Sequence, residues 1–317
     1  MSKLNKKIAT GNSGFKTKIN RLLIEIKKNT FIYILLAPAV ILSLVFLYAP
    51  MGGLKMAFQD YNIYQPDKST WVWFKNFKYI LQNKETIMAI ANTFYVSILN
   101  LVICFPAPII FALLLNEIDN KHFKKVTQTL SYLPHFLSWI SVIGIITTLY
   151  SKAGIVNDII ALFFGEDKRS LILANQNFFV PNVLILNLWK GIGWGSIVYL
   201  AAISGVDSSL YEAARIDGAG RFRQTWSVTI PSILPTVIIM LIWRCGTLFN
   251  DNFELIYGLQ NAYIDFEVVQ TIVYKRGIAG GDYQVSTAFG LFQGLVNIII
   301  LIIVNQIAKK VSETSVF

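Results

Sequence analysis

Apolar residues are concentrated in six long stretches of the chain, separated by polar loops. A membrane-spanning helix needs about 20 mostly apolar residues, because each residue rises about 1.5 Å through a hydrocarbon core about 30 Å thick. The chain is therefore predicted to be an all-α transmembrane bundle with one membrane domain at residues 31–310. The predicted spans are Phe31–Ala49, Ala89–Leu115, Tyr132–Tyr150, Val180–Ile203, Leu234–Phe249 with a polar extension to Tyr257, and Thr287–Ala308.

Two further segments are apolar or amphipathic without being long enough to cross. Ile155–Phe164 is flanked by glycines and is predicted to lie as a helix at the membrane surface. Phe15–Lys28 alternates basic residues with apolar ones at helical spacing, so it could lie on the inner leaflet. A solvated basic leader over residues 1–30 that only enforces topology is an equally good interpretation.

Basic residues predict the orientation, because Lys and Arg favour cytoplasmic loops close to the spans. With both termini inside, the leader, the loops at 116–131 and 204–233, and the end of the chain carry sixteen basic residues, against ten outside. Lys190 and Arg244 fall within spans. The sequence thus favours a membrane protein with both ends in the cytoplasm, including a short tail at residues 311–317.

Composition supports a membrane protein over a soluble one. The chain is 54% hydrophobic and only 15% charged, with mean hydropathy +0.53, whereas soluble domains carry about 25% charged residues. The formal charge of +10 is spread along apolar sequence rather than forming a compact basic domain, which favours anionic lipid over nucleic acid as its partner. Cys104 and Cys245 lack metal-ligand spacing and are interpreted as packing residues.

The loop between the fourth and fifth spans, residues 204–235, carries the most distinctive motif. Asp207 or Ser208 can cap a helix whose first turns contain Glu212, Ala213 and Ala214. Asp217 and Gly218 follow and are predicted to end that helix, because glycine permits a backbone turn that other residues resist. The small alanines would allow a partner surface to approach closely.

A second short helix is predicted through Phe222 and Trp226, followed by Ile-Pro at 230–231 and Leu-Pro at 234–235, which mark the return into the bilayer. Two short helices joined at a glycine would form a compact docking element. The alternative is an ordinary polar loop between spans.

This ordered pattern resembles the EAA loop of permease subunits in binding-protein-dependent ATP-binding-cassette importers. The resemblance covers about residues 85–310 and implies the type I importer permease fold. Phe249–Ala262 and Phe289–Lys310 carry a narrower likeness to the LplB-type subunits that resemble the MalF side of maltose-type systems.

The resemblance implies several partners that this chain does not contain. They are a second homologous permease, two copies of a cytosolic ATPase that binds ATP and Mg²⁺, an extracellular or periplasmic solute-binding protein, and a carbohydrate. No GxxxxGK[ST] phosphate loop occurs in the sequence, so the chain is expected to be a transport subunit with no cofactor of its own, rather than an enzyme. Glu212, Ala213, Ala214, Asp217 and Gly218 would contact the ATPase.

The resemblance also implies a sugar cavity at the outer half of span four and the end of span five. Aromatic faces would stack on sugar rings, while amides and acids would bond hydroxyls. Interfacial tryptophans, a snorkelling Lys190 and an internal Arg244 ion pair are the structural alternatives. No functional role is predicted for His122 or His135. The predicted substrate-binding residues are Lys190, Gly191, Trp194, Phe249, Asn250, Asp251, Asn252 and Glu254.

Two other classes compete with an importer permease. An ion-coupled secondary transporter would have similar spans and buried charges, but duplicated halves or matched glycine-broken helices are not evident. A membrane-embedded enzyme would need a motif such as HExxH or GxSxG, and neither occurs.

Overall fold

The computed structural model describes residues 24–250 and 252–312, except for the side chains of residue 250 and of residues 311–312. Most of the predicted leader helix and of the tail at 311–317, together with Asp251, therefore lies outside the described residues. Within the described ranges the chain is helical apart from one short β ribbon, which confirms the all-α transmembrane class. It divides into two compact units between Lys55 and Met56.

The first unit contains the start of a long apolar helix. Helix α1, Thr30–Ser43, continues through a π-helical turn at Leu44–Tyr48 into a 3₁₀ stretch at Ala49–Phe58. No residue in its most apolar 18-residue window is buried. A helix that is apolar all round suits hydrocarbon, in agreement with the first predicted span.

The second unit begins with a small polar element. Strand β1, Gln59–Asp60, pairs antiparallel with β2, Thr70–Trp71, and a 3₁₀ turn at Pro66–Lys68 lies between them. Helix α2, Lys75–Gln82, follows. The buried amide of Asn76 on α2 donates to the carbonyl oxygens of Ala57 at 2.9 Å and Gln59 at 3.0 Å, which fixes α2 against the ribbon.

The second span is one helix with a wide turn at its middle. It comprises α3, Lys84–Leu99, a π-helical turn at Asn100–Cys104, and α4, Pro106–Asn116. Proline at 106 has no N–H to donate and crowds the preceding turn, which accounts for the wider turn directly before it. The second span therefore changes its winding at this proline without ending there.

The third span differs from the prediction, because Tyr132–Tyr150 is not one straight helix. Helix α5, Lys121–Tyr132, runs into a 3₁₀ turn at Leu133–Phe136, and α6, Trp139–Leu149, leaves at an angle of 100°. Leu137 is extended, and the Ser138 hydroxyl accepts from the Ser141 amide at 3.1 Å, so a new helix starts there. Five long apolar helices occur among the described residues, or six if this bent pair is one span.

The outer connection from α6 to the fourth span is a compact loop around α7, Ile155–Phe164. The short predicted helix is thus confirmed as a helix. The amide of Asn157, which is fully buried, bonds the backbone of Ser151 and Ser170 and closes the loop. Short 3₁₀ turns follow at Glu166–Lys168 and Ile172–Ala174.

The fourth span, α8, covers Gln176–Ser204 and packs against α4 and α5. Two glycines permit the close approach. A Cβ at position 193 would lie 2.1 Å from the Ser131 carbonyl oxygen, and one at position 195 would lie 3.0 Å from the Pro108 ring. Helix α8 is therefore the element against which both α4 and α5 pack closely.

The predicted second short helix of the loop and the predicted start of span five both need correction. Helix α9, Ser208–Ile216, is separate, but α10, Arg221–Gln224, continues through a π-helical turn at Thr225–Thr229 into α11, Ile230–Gly246. The fifth span is therefore one helix, Arg221–Gly246. Proline at 231 occupies the first turn of α11, where its missing N–H does not break the helix.

The predicted extension of span five to Tyr257 is also wrong. Thr247 leaves helical geometry, a 3₁₀ turn at Leu248–Asn250 follows, and α12, Phe253–Leu259, is a separate helix. The remaining helices are α13, Val269–Ile272, a π-helical segment at Val273–Ala279, and α14, Tyr283–Ser312, which contains the sixth span. Helices α6, α8 and α12 share a buried core that includes Val142, Val183 and Leu255.

Candidate functional site

A cavity of about 510 Å³ opens beside the middle of α8. Its walls come from α4, α8, α11 and the break between α5 and α6. Aromatic rings, two amides and two basic side chains share the surface. The lining residues are Cys104, Phe105, Pro108, His135, Trp139, Asn187, Lys190, Gly191, Ile192, Gly195, Tyr199, Met240, Trp243, Arg244 and Asn252.

Lys190 is held at the cavity wall by neutral groups. Its ammonium donates to the His135 carbonyl oxygen at 2.9 Å and lies 5.0 Å from the centre of the Trp139 ring. That carbonyl can accept because His135 lies in the 3₁₀ turn that ends α5, where backbone groups lose their helical partners. The bend in the third span thus creates the acceptor for a lysine at membrane depth.

The His135 ring stacks on Trp194 of α8. The two ring centres are 4.5 Å apart and the planes are 1° from parallel, while Phe136 meets the same indole edge-on at 5.7 Å. Trp194 remains 45% exposed. One face of the indole is therefore covered by the bend.

An amide pair lies behind the cavity wall. The Asn187 side chain donates to Asn100 at 3.3 Å, and Asn100 is 1% exposed in the π turn of the second span. The Asn100 amide nitrogen has no hydrogen-bond partner among the described residues. A buried donor without a partner costs about 1–3 kcal/mol, so this pair is a weak point in the packing between α4 and α8.

Three of the predicted substrate residues line the cavity. Lys190 and Gly191 lie on α8, and a Cβ at position 191 would meet nothing within 4 Å. Asn252 has φ +75°, a left-handed conformation that Asn tolerates better than most residues, and it directs the chain away from α11. Trp194 borders the cavity through its stack on His135.

The other predicted substrate residues lie elsewhere or outside the described residues. Phe249 is 1% exposed and packs edge-on against Phe94 at 4.4 Å, so its ring does not form the expected open wall in this structure. Its backbone N–H donates to the Asn297 side-chain oxygen at 3.3 Å. Glu254 is exposed on α12, away from the lining. Asp251 and the Asn250 side chain are not described.

Several lining residues were not predicted, among them His135, Trp139, Asn187 and Tyr199. Those on α8 could have been identified from their spacing in the sequence. Positions 187, 191, 195 and 199 are four residues apart and 190 is adjacent to 191, so these positions fall on one helix face. His135 and Trp139 had no such signal, because only the bend brings them to α8.

A second candidate site is the cytoplasmic-loop motif itself. The Asp207 carboxylate accepts from the Ser209 amide at 2.9 Å and caps α9; these hydrogen bonds from Ser209 lower the pKa of Asp207. At the other end, Gly218 has φ +77°, with Gly218 N bonded to Arg215 O and Ala219 N to Ala214 O. This pattern is a Schellman motif, so the predicted glycine turn is confirmed.

The predicted contact residues of α9 lie on the surface. Glu212, Ala213, Asp217 and Gly218 are exposed, and Ala214 is half-buried. Two neighbouring apolar side chains are also exposed to solvent, Ile216 to 86% and Phe222 to 82%. Exposed apolar and charged groups together are typical of a surface that binds another protein.

Ion pairs join this loop to the end of the second span. Arg221 contacts the Asp119 carboxylate at 3.0 Å, and the Thr225 hydroxyl donates to Glu117 at 3.2 Å. A groove of about 270 Å³ lies here, lined by residues that include Tyr211 and Arg215. These contacts fix the start of the fifth span against the end of the second.

Comparison with known proteins identifies relatives over most of the chain. Residues 104–313 match the sequence model of the family described as "Binding-protein-dependent transport system inner membrane component". Two proteins of Bacillus subtilis strain 168 are similar. The polygalacturonan/rhamnogalacturonan transport system permease protein YteP is 39% identical, covering 95% of both chains, and Protein LplB is 40% identical, covering 92% of both.

The fold also matches solved structures. A chain of a bacterial ABC transporter involved in the import of the acidic polysaccharide alginate superposes with a TM-score of 0.85 and 36% identity, covering 92% of this chain and 99% of that one. A chain of the bacterial alginate ABC transporter in complex with an alginate pentasaccharide-bound periplasmic protein gives the same TM-score and identity, covering 93% and 100%.

Proposed function

This chain belongs to the family of binding-protein-dependent transport system inner membrane components, and we propose that it is one of two permease subunits of an ATP-driven importer of oligosaccharides. With its family and its several long apolar helices, it is a multi-pass bacterial membrane protein of the type I permease fold. Its relatives are carbohydrate importer permeases, which supports a carbohydrate as the transported molecule.

The observation that carries the proposal is the cavity beside α8. Its volume of about 510 Å³ is in the range of small-molecule sites, and it combines exposed aromatic rings such as Trp243 with the amides of Asn187 and Asn252. Sugars present apolar ring faces edged by hydroxyls, so they need both kinds of group together. We assign substrate contact to the cavity lining, with Trp194 supporting its wall.

The loop centred on α9 is proposed to dock a cytosolic ATPase. Glu212 would bond a polar or basic group in a cleft of that partner, and Gly218 would give the turn its shape. The exposure of Glu212, Ile216 and Phe222 supports this role, because those groups have space around them for a partner surface. ATP and Mg²⁺ would be bound by that partner.

The remaining partners follow from the same assignment. A second, homologous permease would complete the passage, and two ATPase copies would serve the two loops. A solute-binding protein would deliver the sugar from outside; the related alginate transporter has been solved with such a periplasmic protein. Both termini are proposed to be cytoplasmic, as the distribution of basic residues indicates.

The test uses the complete importer in proteoliposomes. We expect uptake of an oligosaccharide only when ATP and the binding protein are both supplied. Glu212→Ala should reduce substrate-stimulated ATP hydrolysis while the chain remains inserted. The control is Asp167→Ala, which removes an exposed acid from the outer loop. Uptake driven by an ion gradient without ATP would instead identify a secondary transporter.

A further inference from the structure

The charge of the cavity lining is the feature that the proposed function does not explain. Among the lining residues that the structure describes, Lys190 and Arg244 are cationic and none carries a carboxylate. A neutral sugar needs aromatic faces and hydrogen-bond groups, but it gives no reason for cations. Ionisable residues at membrane depth cost several kcal/mol and commonly mark a substrate path.

Among the residues that the structure describes, no carboxylate contacts the Lys190 ammonium. The two contacts described for its ammonium are with a backbone carbonyl and a tryptophan ring, both neutral. An ammonium carries three N–H donors, and the bond to His135 uses one of them. The remaining donors belong to a half-buried group that borders an open cavity.

We propose that Lys190 binds a carboxylate of the transported saccharide, so that this cavity selects oligosaccharides containing uronic acid. The carboxylate would complete the hydrogen bonding of the ammonium in a site partly removed from water, where a charged pair is stronger than at the surface. Trp243 of α11, which also lines the cavity and is 73% exposed, offers a face for the sugar ring that carries the acid. This inference rests on the proposed function and specifies its substrate class.

A structural role for Lys190 is the competing explanation. Its bond to His135 ties α8 to the break in the third span, and that bond alone could account for a donor at this position. A glutamine could make the same bond without a charge. The two explanations therefore predict different behaviour when charge is removed but a donor is kept.

The experiment measures ligand binding to the purified permease–ATPase complex in nanodiscs by calorimetry, without the binding protein. The probes are a tetramer of galacturonic acid, its fully methyl-esterified form and a neutral maltotetraose. The wild-type complex should bind the acid at least tenfold more tightly than its ester. Lys190→Gln should lose about tenfold or more of the affinity for the acid and little for the ester, whereas Lys190→Arg should retain most of it.

Two controls make the outcome decisive. Lys152→Gln removes an exposed lysine outside the cavity and should leave the affinity for the acid unchanged. In the wild-type complex, raising the salt concentration should weaken binding of the acid and not of the ester, a measurement that does not depend on any variant folding. A sulfated maltotetraose tests whether a sulfate ester rather than a carboxylate is bound.

The possible results distinguish failure of the carboxylate assignment from failure of the proposed function. Equal affinity for acid and ester, or equal losses for both in Lys190→Gln, would overturn the carboxylate assignment and leave the importer function intact. Tighter binding of the sulfated probe than of the acid would overturn it in favour of sulfate esters. If no probe binds and no saccharide stimulates ATP hydrolysis in the complete importer, the proposed function fails as well.

Discussion

His135 and Trp194 stack face to face, with ring centres 4.5 Å apart and planes within 1° of parallel. The contact joins the break in the third span to α8, beside the carbonyl that holds Lys190. Local geometry alone does not require such a stack, so it indicates that the bend and α8 are positioned as a unit. The cavity wall depends on that unit.

Substitution of His135 tests this relationship. His135→Ala should lower the thermal midpoint of the purified complex, because an aromatic pair contributes about 0.5–1.5 kcal/mol beyond its buried area. His135→Phe keeps a flat ring and should retain most of the stability. The measurement is thermal unfolding followed by loss of monodisperse complex. Equal midpoints for alanine and phenylalanine would mean that the stack contributes nothing.

Close packing of α8 on α5 makes position 193 sensitive to any side chain. A Cβ there would lie 2.1 Å from the Ser131 carbonyl oxygen, so Gly193→Ala must push the helices apart at a cost of about 1–3 kcal/mol. The matched control is Gly191→Ala, two residues away with nothing within 4 Å. Yield and thermal midpoint of the inserted protein should fall for the first and not for the second.

The turn at Gly218 should matter for coupling more than for insertion. With φ +77°, Gly218→Ala places a side chain in the left-handed region at a cost of about 1–2 kcal/mol and should disturb the end of α9. Gly220→Ala is the control, because that residue has φ −67° and open space around it. Co-purification of the ATPase and substrate-stimulated hydrolysis should fall only for Gly218→Ala. A normal rate would show that this turn is not part of the docking element.

The orientation can be tested with a thiol reagent that does not cross membranes. In intact cells it should label a cysteine placed at Asp167 and should not label one placed at Arg221, because the basic bias puts the first outside and the second inside. Both residues are exposed, and accessibility therefore does not differ between the two sites. The unsubstituted chain measures the background from Cys104 and Cys245. The reverse labelling pattern would invert the topology.

The outer loop around α7 should loosen in acid. Arg169 contacts both Glu166 and Asp158, the latter at 2.7 Å, and its hydrogen bond lowers the pKa of Glu166. A lowered pKa in the folded state means that this contribution is present above the ordinary glutamate pKa, about 4.3, and is lost as pH falls through the lowered value. The protection of the amides at residues 152–170, which is the intrinsic exchange rate at each pH divided by the observed rate, should therefore be constant from about pH 8 to 5 and fall below that range.

Removing the charge of Glu166 distinguishes the loss of its pair with Arg169 from other effects of acid. Glu166→Gln should lower the protection of these amides at neutral pH and make that protection depend less on acid. Asp167→Asn is the control, because Asp167 pairs only with the exposed Lys168, at 3.4 Å. If Glu166→Gln behaves like Asp167→Asn throughout, Arg169 does not hold this loop closed.

The sequence by itself determined the membrane class and the local structure of the α9 loop. Hydrocarbon cannot form hydrogen bonds with exposed backbone groups, so each span must be a helix of about 20 apolar residues. Such a run of apolar residues can be recognised directly in the sequence. The cap at Asp207 and the turn at Gly218 are likewise local, because each depends on residues within one or two helical turns.

Tertiary structure decided where the third span bends and which side chains meet at the cavity. A proline at 134 marks a break but not its 100° angle, which depends on α8 and the Trp194 stack. Phe249 was expected beside Lys190 and lies instead in the core against Phe94, because the chain leaves α11 just before it. Spacing along a chain places residues on one face of a helix, whereas the face that remains open depends on how distant helices pack, and no local pattern contains that information.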